Sequence, residues 1–482
     1  MVTGLRARSP VSGLDRRTLP PMQVFAQSVS AMAPSAAMAA TPAIVAASAG
    51  QAVLWSFAVA TVAALLIGVC IAQFTRRMAA AGSLYSLTAK GLGPVAAFAC
   101  ACALLVGYAL LAMAALVGAG IFLNDLLSRV GIVPDGNSVA VASTVLLLAG
   151  GTTLFAVRGI RLSARVILVI ESISIGLMLV VFLVLMTDFG FQFDSRPFAL
   201  PDMSVSGLAA GVLPALGAFI GFEAAAALGV EAHRPYQTIP RSVQWTAAFG
   251  GILYLVAAYV QMRGFGDKPG GLAGQSEPLV ALATDQHVPW LLYLLDIGIA
   301  ASFVACALAA TNALARVLFS LARDHVAPAC LGNTHRRHRT PQVAIFTAAP
   351  VVALTPIVVL AMGESPTRTL MTLLNVASFG FLVAYLLVCL AAPVFLKRIG
   401  ELTATAIIAS AVIGPVLLAA VAAFIFATLG GPYPSVFALL AAVSVGWFGW
   451  LRVRRPHRIP DIGVYDETSI DDVLIGTRET RA

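Results

Sequence analysis

The stretch GAFIGFEAAAALGVEA, residues 217–232, is apolar except for two carboxylates, Glu223 and Glu231. Glu231 is followed at once by His233 and Arg234, whereas Glu223 has no charged residue within one helical turn. Glycines at 217 and 221, with Pro214 just upstream, punctuate the same run. A buried, unpartnered carboxylate is costly in any apolar medium. Its placement among glycines therefore asks what solvent surrounds it and what the backbone does there.

The composition answers the first question. Of 482 residues, 59% are hydrophobic and 11% charged, and the mean hydropathy is +0.92. Soluble domains carry about 25% charged residues, so the solvent of this chain is a lipid bilayer. The formal charge of +8 is then a matter of loop positions and not a sign of nucleic-acid binding. Five of the six cysteines (Cys70, Cys100, Cys102, Cys306, Cys389) fall in apolar runs and Cys330 in a polar loop. None has ligand spacing, so they read as packing residues, with no metal site or cofactor implied.

Twelve apolar segments follow one another, at 22–48, 52–74, 93–123, 138–157, 164–188, 205–229, 241–263, 289–322, 341–362, 367–393, 404–429 and 432–451. Most reach the ~20 residues that cross a hydrocarbon core. The expected class is an all-α polytopic membrane protein. Its parts are a terminal segment 1–21, five spans over 22–188, five more over 205–393, two over 404–451 and a tail 452–482. Taking connections alternately, 24 Lys and Arg fall on the side of both termini, five (Arg129, Arg196, Arg263, Lys268, Arg368) on the other, and Arg316 within a span. That bias predicts cytoplasmic termini. A cleaved leader is not expected, because residues 22–30 hold Gln23, Gln27, Ser28 and Ser30. From Pro456 onward the chain is polar and of mixed charge, and reads as disordered.

Two spans contain backbone breakers. The first reads SAMAPSAAMAATP (30–42), where Pro34 removes a donor and clashes with the preceding turn. The sixth reads GVLPALGAFIGFE (211–223), with Pro214, Gly217 and Gly221. Each alone is compatible with a kink or a close helix contact. Their places, first in each group of five, fit an inverted-repeat transporter with discontinuous helices. A break frees N–H groups at one half-helix start, which attract a carboxylate, and C=O groups at the other end, which accept from an ammonium. Such free backbone survives at membrane depth only beside protein or a wet cavity.

Several longer motifs carry a resemblance. AFIGFEAAAALGVEAHRPYQTIPRSV (218–243) is similar to the sixth-span pattern of the amino acid–polyamine–organocation permeases, Phe-x-Gly-Phe-Glu followed by Glu-Glu-x-Lys-Asn-Pro and Ile-Pro-Arg. AGSLYSLTAKGLGP (81–94) resembles their approach to the third span, and NALARVLFSLARDHVAPACL (312–331) with HRRHRTPQVAIF (335–346) their eighth span and its loop. The likeness extends over residues 20–451. It implies a LeuT-like core of ten helices in two inverted five-helix repeats, with two helices added. It also implies a substrate carboxylate at Ser35-Ala36-Ala37 beside Pro34, carbonyl contacts near Ala33 and Ile220, and a neighbourhood of Gly217, Ala218 and Phe219. The chain departs from the pattern at Gly217, where some members carry an aromatic gate, and in the next motif, where Val230 and His233-Arg234 replace Glu and Lys-Asn.

The remaining polar residues in the spans admit two readings each. Glu223 is either a proton carrier beside the break or a hydrogen-bonded staple between helices. Glu171, in VILVIESISIG, is a second coupling candidate, or a partner of Arg161 or Arg165. Tyr108 and Asn312 are either substrate contacts or helix–helix hydrogen bonds. Arg316 is expected to snorkel, Asp296 to line a vestibule, and Glu231, Arg234 and Arg241 to form a cytoplasmic gate or merely a solvated rim. The function expected is secondary transport of an amino acid or amine across the cell membrane with a proton, or sodium, as co-substrate. An exchanger of the same fold is the nearest alternative, and a transporter-like sensor or a membrane enzyme the more distant ones. The chain has no Gly-x4-Gly-Lys-Ser/Thr motif to supply an ATP motor, and its six histidines form no spaced ligand set within the spans.

Overall fold

The computed structural model of the chain describes residues 9–134, 136–188, 194–198, 204–266, 268, 270–428 and 433–466. The tail beyond 466 and the basic residues Arg6, Arg8, Arg478 and Arg481 lie outside them. Apart from one isolated bridge, Leu19 to Ala232, the described secondary structure is helical.

Among the described residues ten helices are long and apolar enough to cross a membrane, and the interrupted first and sixth segments complete the order of the twelve apolar runs. The first crossing is split into α1 (Pro21–Ala31) and α2 (Pro34–Ala49), and the second is α3 (Val53–Thr75). A short α4 (Leu84–Leu92) precedes the third crossing, α5 (Pro94–Arg129), followed by α6 (Ser138–Val157) and α7 (Ile160–Asp188). The sixth is α8 (Val205–Gly217), continued by irregular turns and a 3₁₀ segment at Ala224–Leu228. Then come α9 (Pro235–Phe265), the short α10 (Pro278–Asp285), α11 (Trp290–Arg323), α12 (Gln342–Ala361), α13 (Pro366–Arg398), α14 (Ala404–Thr428) and α15 (Tyr433–Arg454). Proline at the first turn starts α1, α2, α5, α9, α10 and α13, where its missing N–H costs nothing. Asn137, Ser204 and Ser365 cap α6, α8 and α13 by accepting backbone N–H bonds. The apolar-run reading missed α4 and α10, which are too short to span, and began the seventh crossing six residues late.

Equivalent members of the two groups of five meet in space. Spans one and six touch at their breaks, α3 packs on α9, and α5 packs along α11. This is the contact pattern of two repeats related by a pseudo-two-fold axis. The added α14 packs on α13 and α3, while Leu439, Val443 and Val445 of α15 are exposed and face lipid.

The end of the bundle that carries the N-terminal segment, here the N-face, is covered by both chain ends. The N–H groups of Arg17, Thr18 and Leu19 donate to the carbonyls of Val230 and Glu231, and His233 N–H returns a bond to Leu19. Residues 456–466 are not disordered. Gly463 and Val464 donate backbone N–H bonds to the Asp324 carboxylate at 2.9 and 3.0 Å, and Asp466 pairs with Arg16 at 2.8 Å. Composition indicated a free tail because the groups that dock it are largely backbone N–H groups, which every sequence carries.

Candidate functional site

The first break lies at Met32–Ala33. Ala33 adopts a left-handed conformation, φ 46° and ψ 59°, which is unfavourable for a residue with a β-carbon and persists only where its surroundings impose it. Its carbonyl accepts from Ala37 N–H. The N–H groups of Ser35 and Ala36, at the start of α2, meet no backbone acceptor among the described residues. Two donors at a helix start thus stand free at mid-bundle, the arrangement that favours an anion. Ser35 Oγ and Ser174 Oγ are hydrogen-bonded at 2.7 Å, which fixes this half-helix to α7.

The second break runs from Ala218 to Glu223. Gly221 has φ 92° and approaches α1 so closely that a β-carbon there would lie 2.7 Å from the Ala31 carbonyl oxygen. Ala225 N–H donates to Ser28 Oγ at 2.7 Å, joining the same two spans. Tyr254 Oη donates to the Ala218 carbonyl at 2.7 Å, and its ring meets Phe219 edge-on at 5.1 Å. Around the β-carbon position of Gly217 there is open space. The free N–H groups of α2 and the unwound carbonyls at 218–220 therefore belong to one junction.

Glu223 is fully buried and clamped from two sides. Tyr108 Oη of α5 donates to Oε1 at 2.7 Å, and Tyr385 Oη of α13 donates to Oε2. Tyr385 Oη in turn accepts the N–H of Gly221 at 3.1 Å. Both tyrosines act as donors, which suits the acceptor-only carboxylate form. Tyr108 is thus occupied by Glu223. Tyr385 escaped the sequence reading because it sits in an uninterrupted apolar run with no motif around it.

Glu171 of α7 is also buried, at 2% exposure, and pairs with neither Arg161 nor Arg165. Its Oε1 accepts from Ser302 Oγ of α11 at 3.0 Å. Oε2 meets no hydrogen-bond partner of good geometry among the described residues, and Ser30 Oγ of α1 faces the carboxylate. One turn further on, Ser174 Oγ lies 2.7 Å from the Gly298 carbonyl. This polar seam of α1, α7 and α11 adjoins the first break, since Cys306 Sγ of α11 reaches the Ala31 carbonyl at 3.4 Å.

Toward the N-face, Glu231 meets Arg316 in a two-bond ion pair, both bonds 2.7 Å, with the side chains 0% and 1% exposed. Arg316 does not snorkel. Its NH1 group donates to the Asn312 carbonyl, so all of its reach is used inside the bundle. Asn312 Nδ2 donates to Ser163 Oγ at 3.1 Å and ties α11 to α7, away from the break. Arg234 and Arg241 are exposed, and neither forms an ion pair with Glu231. At the opposite end Asp296 pairs with Arg129 at 2.6 Å.

Among the described residues, ten helices of span length, two interrupted segments in backbone contact and a buried carboxylate on each side of their junction fit a multi-pass carrier of the discontinuous-helix type. The chain belongs to the amino acid permease family, whose profile matches residues 19–450. Among similar proteins, the branched-chain amino acid permease BcaP of Bacillus subtilis is 27% identical over 73% of this chain and 75% of its own. The methylthioribose transporter of the same organism is 23% identical over 87% and 89%. The low-affinity putrescine importer PlaP of Escherichia coli is 27% identical over 62% and 66%. The crystal structure of a manganese transporter from Eremococcus coleocola superposes with a TM-score of 0.55 at 12% identity, covering 94% of this chain and 99% of that one, which establishes the shared fold.

Proposed function

We infer that the chain is a proton-coupled secondary transporter of an amino acid or related amine, working by alternating access around the junction of spans one and six. The observation that carries this reading is the pair of free N–H groups, Ser35 and Ala36, at the start of α2 beside the unwound stretch that ends in Glu223. A substrate carboxylate satisfies those donors, and the carbonyls at Met32, Ala33 and Ile220 lie on the side of the substrate ammonium. The apolar surroundings of Ala218, Phe219 and Ile220 suit the side chain.

Glu223 and Glu171 are the coupling carboxylates in this reading. Protonating Glu223 on Oε2 turns the acceptor of Tyr385 into a donor, so the Tyr385 hydroxyl reorients, and its bond with Gly221 ties that change to the sixth-span break. Glu171 offers a carboxylate oxygen without a competing bond next to the first break. The Glu231–Arg316 pair, capped by the two chain ends, closes the N-face. The Lys and Arg bias supports a cytoplasmic N-face in this reading, with the plasma membrane as the host membrane. Cysteine labelling from outside then reaches the loop 270–277 and not 333–339.

The test of the binding site is Ala36→Leu, which places a bulky side chain beside the free donors. It is expected to abolish binding of a labelled amino acid while leaving folded yield unchanged. Amine-only analogues binding as tightly as the amino acid would remove the carboxylate from this account.

A further inference from the structure

On the N-face, two loops from different halves of the chain lie side by side. One joins α6 to α7, the other α11 to α12, and Thr340 Oγ1 of the second donates to the Val157 carbonyl of the first at 3.0 Å. The second loop is closed on itself. His335 N–H donates to the Thr340 carbonyl at 2.8 Å and Arg339 N–H to the His335 carbonyl at 2.9 Å. His335 Nδ1 accepts from the N–H groups of Arg337 and His338, both at 3.1 Å. Arg339 is held in a left-handed conformation, φ 50°. The loop is therefore a pinned frame, and it turns Arg336, Arg337 and Arg339 outward into exposed positions.

Arg158, Arg161 and Arg165 are exposed on the adjoining loop and the start of α7. Among the described residues, the acidic partner of these six guanidiniums is Asp15 alone, 3.4 Å from Arg161. Six exposed guanidiniums on two adjoining loops with a single acidic partner leave an excess of positive charge that favours an external anion. Their depth says which. The two loops leave α6 at Val157 and enter α12 at Gln342, so the guanidiniums stand where a span meets the headgroup layer. Just inside that layer, Leu162 and Val169 of α7 and Phe346 of α12 are exposed apolar side chains, a wall suited to acyl chains.

We propose that this rim binds the headgroup of an anionic phospholipid, with its phosphate held by the guanidiniums of both loops and its acyl chains lying along the wall. Planar guanidinium donors match phosphate oxygens in pairs. A phosphatidylglycerol headgroup offers that phosphate with no cation of its own, whereas phosphatidylcholine carries an ammonium that the cluster repels. A bound lipid would also join the two halves of the chain at this face, because one loop comes from each.

The experiment is native mass spectrometry of the purified full chain in detergent, titrated with phosphatidylglycerol or phosphatidylcholine. The wild type is expected to retain phosphatidylglycerol at least about fivefold more than phosphatidylcholine, the factor a single basic residue contributes to anionic-lipid attraction. Replacing Arg336, Arg337 and Arg339 together by Gln is expected to remove that preference, and replacing the same three by Lys to keep most of it. Equal retention of both lipids by the wild type, or full retention of phosphatidylglycerol by the Gln variant, overturns the proposal. So does displacement of the lipid by inorganic phosphate at tens of millimolar, which would mark a free-anion site. Because loop arginines also steer membrane insertion, the wild-type comparison of the two lipids decides the question even if the Gln variant inserts poorly.

Discussion

The carbonyl oxygen of Ala31 lies 2.7 Å from the point a β-carbon on Gly221 would occupy, so the interruptions of the first and sixth spans are in backbone contact. That approach brings the free donors of α2 and the unwound carbonyls of the sixth span to one place. It also requires glycine at 221, both for the contact and for φ 92°.

Gly221→Ala is accordingly expected to be strongly destabilising. Left-handed strain alone costs about 1–3 kcal/mol, and the Ala31 carbonyl must move as well. The check is thermal unfolding of the purified variant beside Gly446→Ala, where the β-carbon meets open space. The first should lose several degrees and the second none.

The buried pair of Glu231 and Arg316 predicts a non-additive result. Removing one partner of such a pair leaves an uncompensated charge and costs about 3–5 kcal/mol. Glu231→Gln and Arg316→Met should each be far less stable than the wild type, and the double variant should lose clearly less than the two single losses combined. Additive losses in a double-mutant cycle would show that the two side chains act independently.

Asp324 gives a pH dependence outside the membrane spans. Burial lifts its carboxyl to about 6, against an ordinary 3.8, and outweighs the bonds from Tyr85, Gly463 and Val464 that favour the carboxylate. A group raised in this way contributes stability that is complete below about pH 4 and is lost as pH rises through about 6. Between pH 5 and 7.5 the melting temperature of the wild type should fall, and in Asp324→Asn this component of the fall should be absent. A variant with the same pH slope as the wild type would sink the assignment.

The docked tail predicts a proteolysis result. Arg16→Gln removes the partner of Asp466 and should speed cleavage after Arg458 without altering the cleavage of other loops. An unchanged rate would mean that the remaining contacts suffice to hold the tail, namely the backbone bonds to Asp324, the Ser9 hydroxyl on Asp466 and the Asp466 N–H on the Ala79 carbonyl.

Hydropathy made the long apolar helices legible, and Pro34, Pro214 and Gly221 marked the two interrupted segments, because both signals are local. The partners of the buried charges were not local. Glu223 is held by Tyr108 and Tyr385, 115 and 162 residues away, and no periodicity links such positions. Arg316 lies near a span end, where arginine usually reaches for water, and only the packed structure places Glu231 against it. Ser30 and Ser302 looked like ordinary small residues until α7 put Glu171 between them.

The central claim is carboxylate-coupled proton transport at the junction of the breaks. Its direct test is uptake of a panel of labelled amino acids into proteoliposomes under an imposed pH gradient, comparing the wild type with Glu223→Gln and Glu171→Gln. The account predicts that an outside-acid gradient drives wild-type uptake of at least one amino acid, and that one or both Gln variants still bind it but lose the dependence on the gradient. Wild-type uptake indifferent to the gradient, or two Gln variants that both retain full pH dependence, would contradict it.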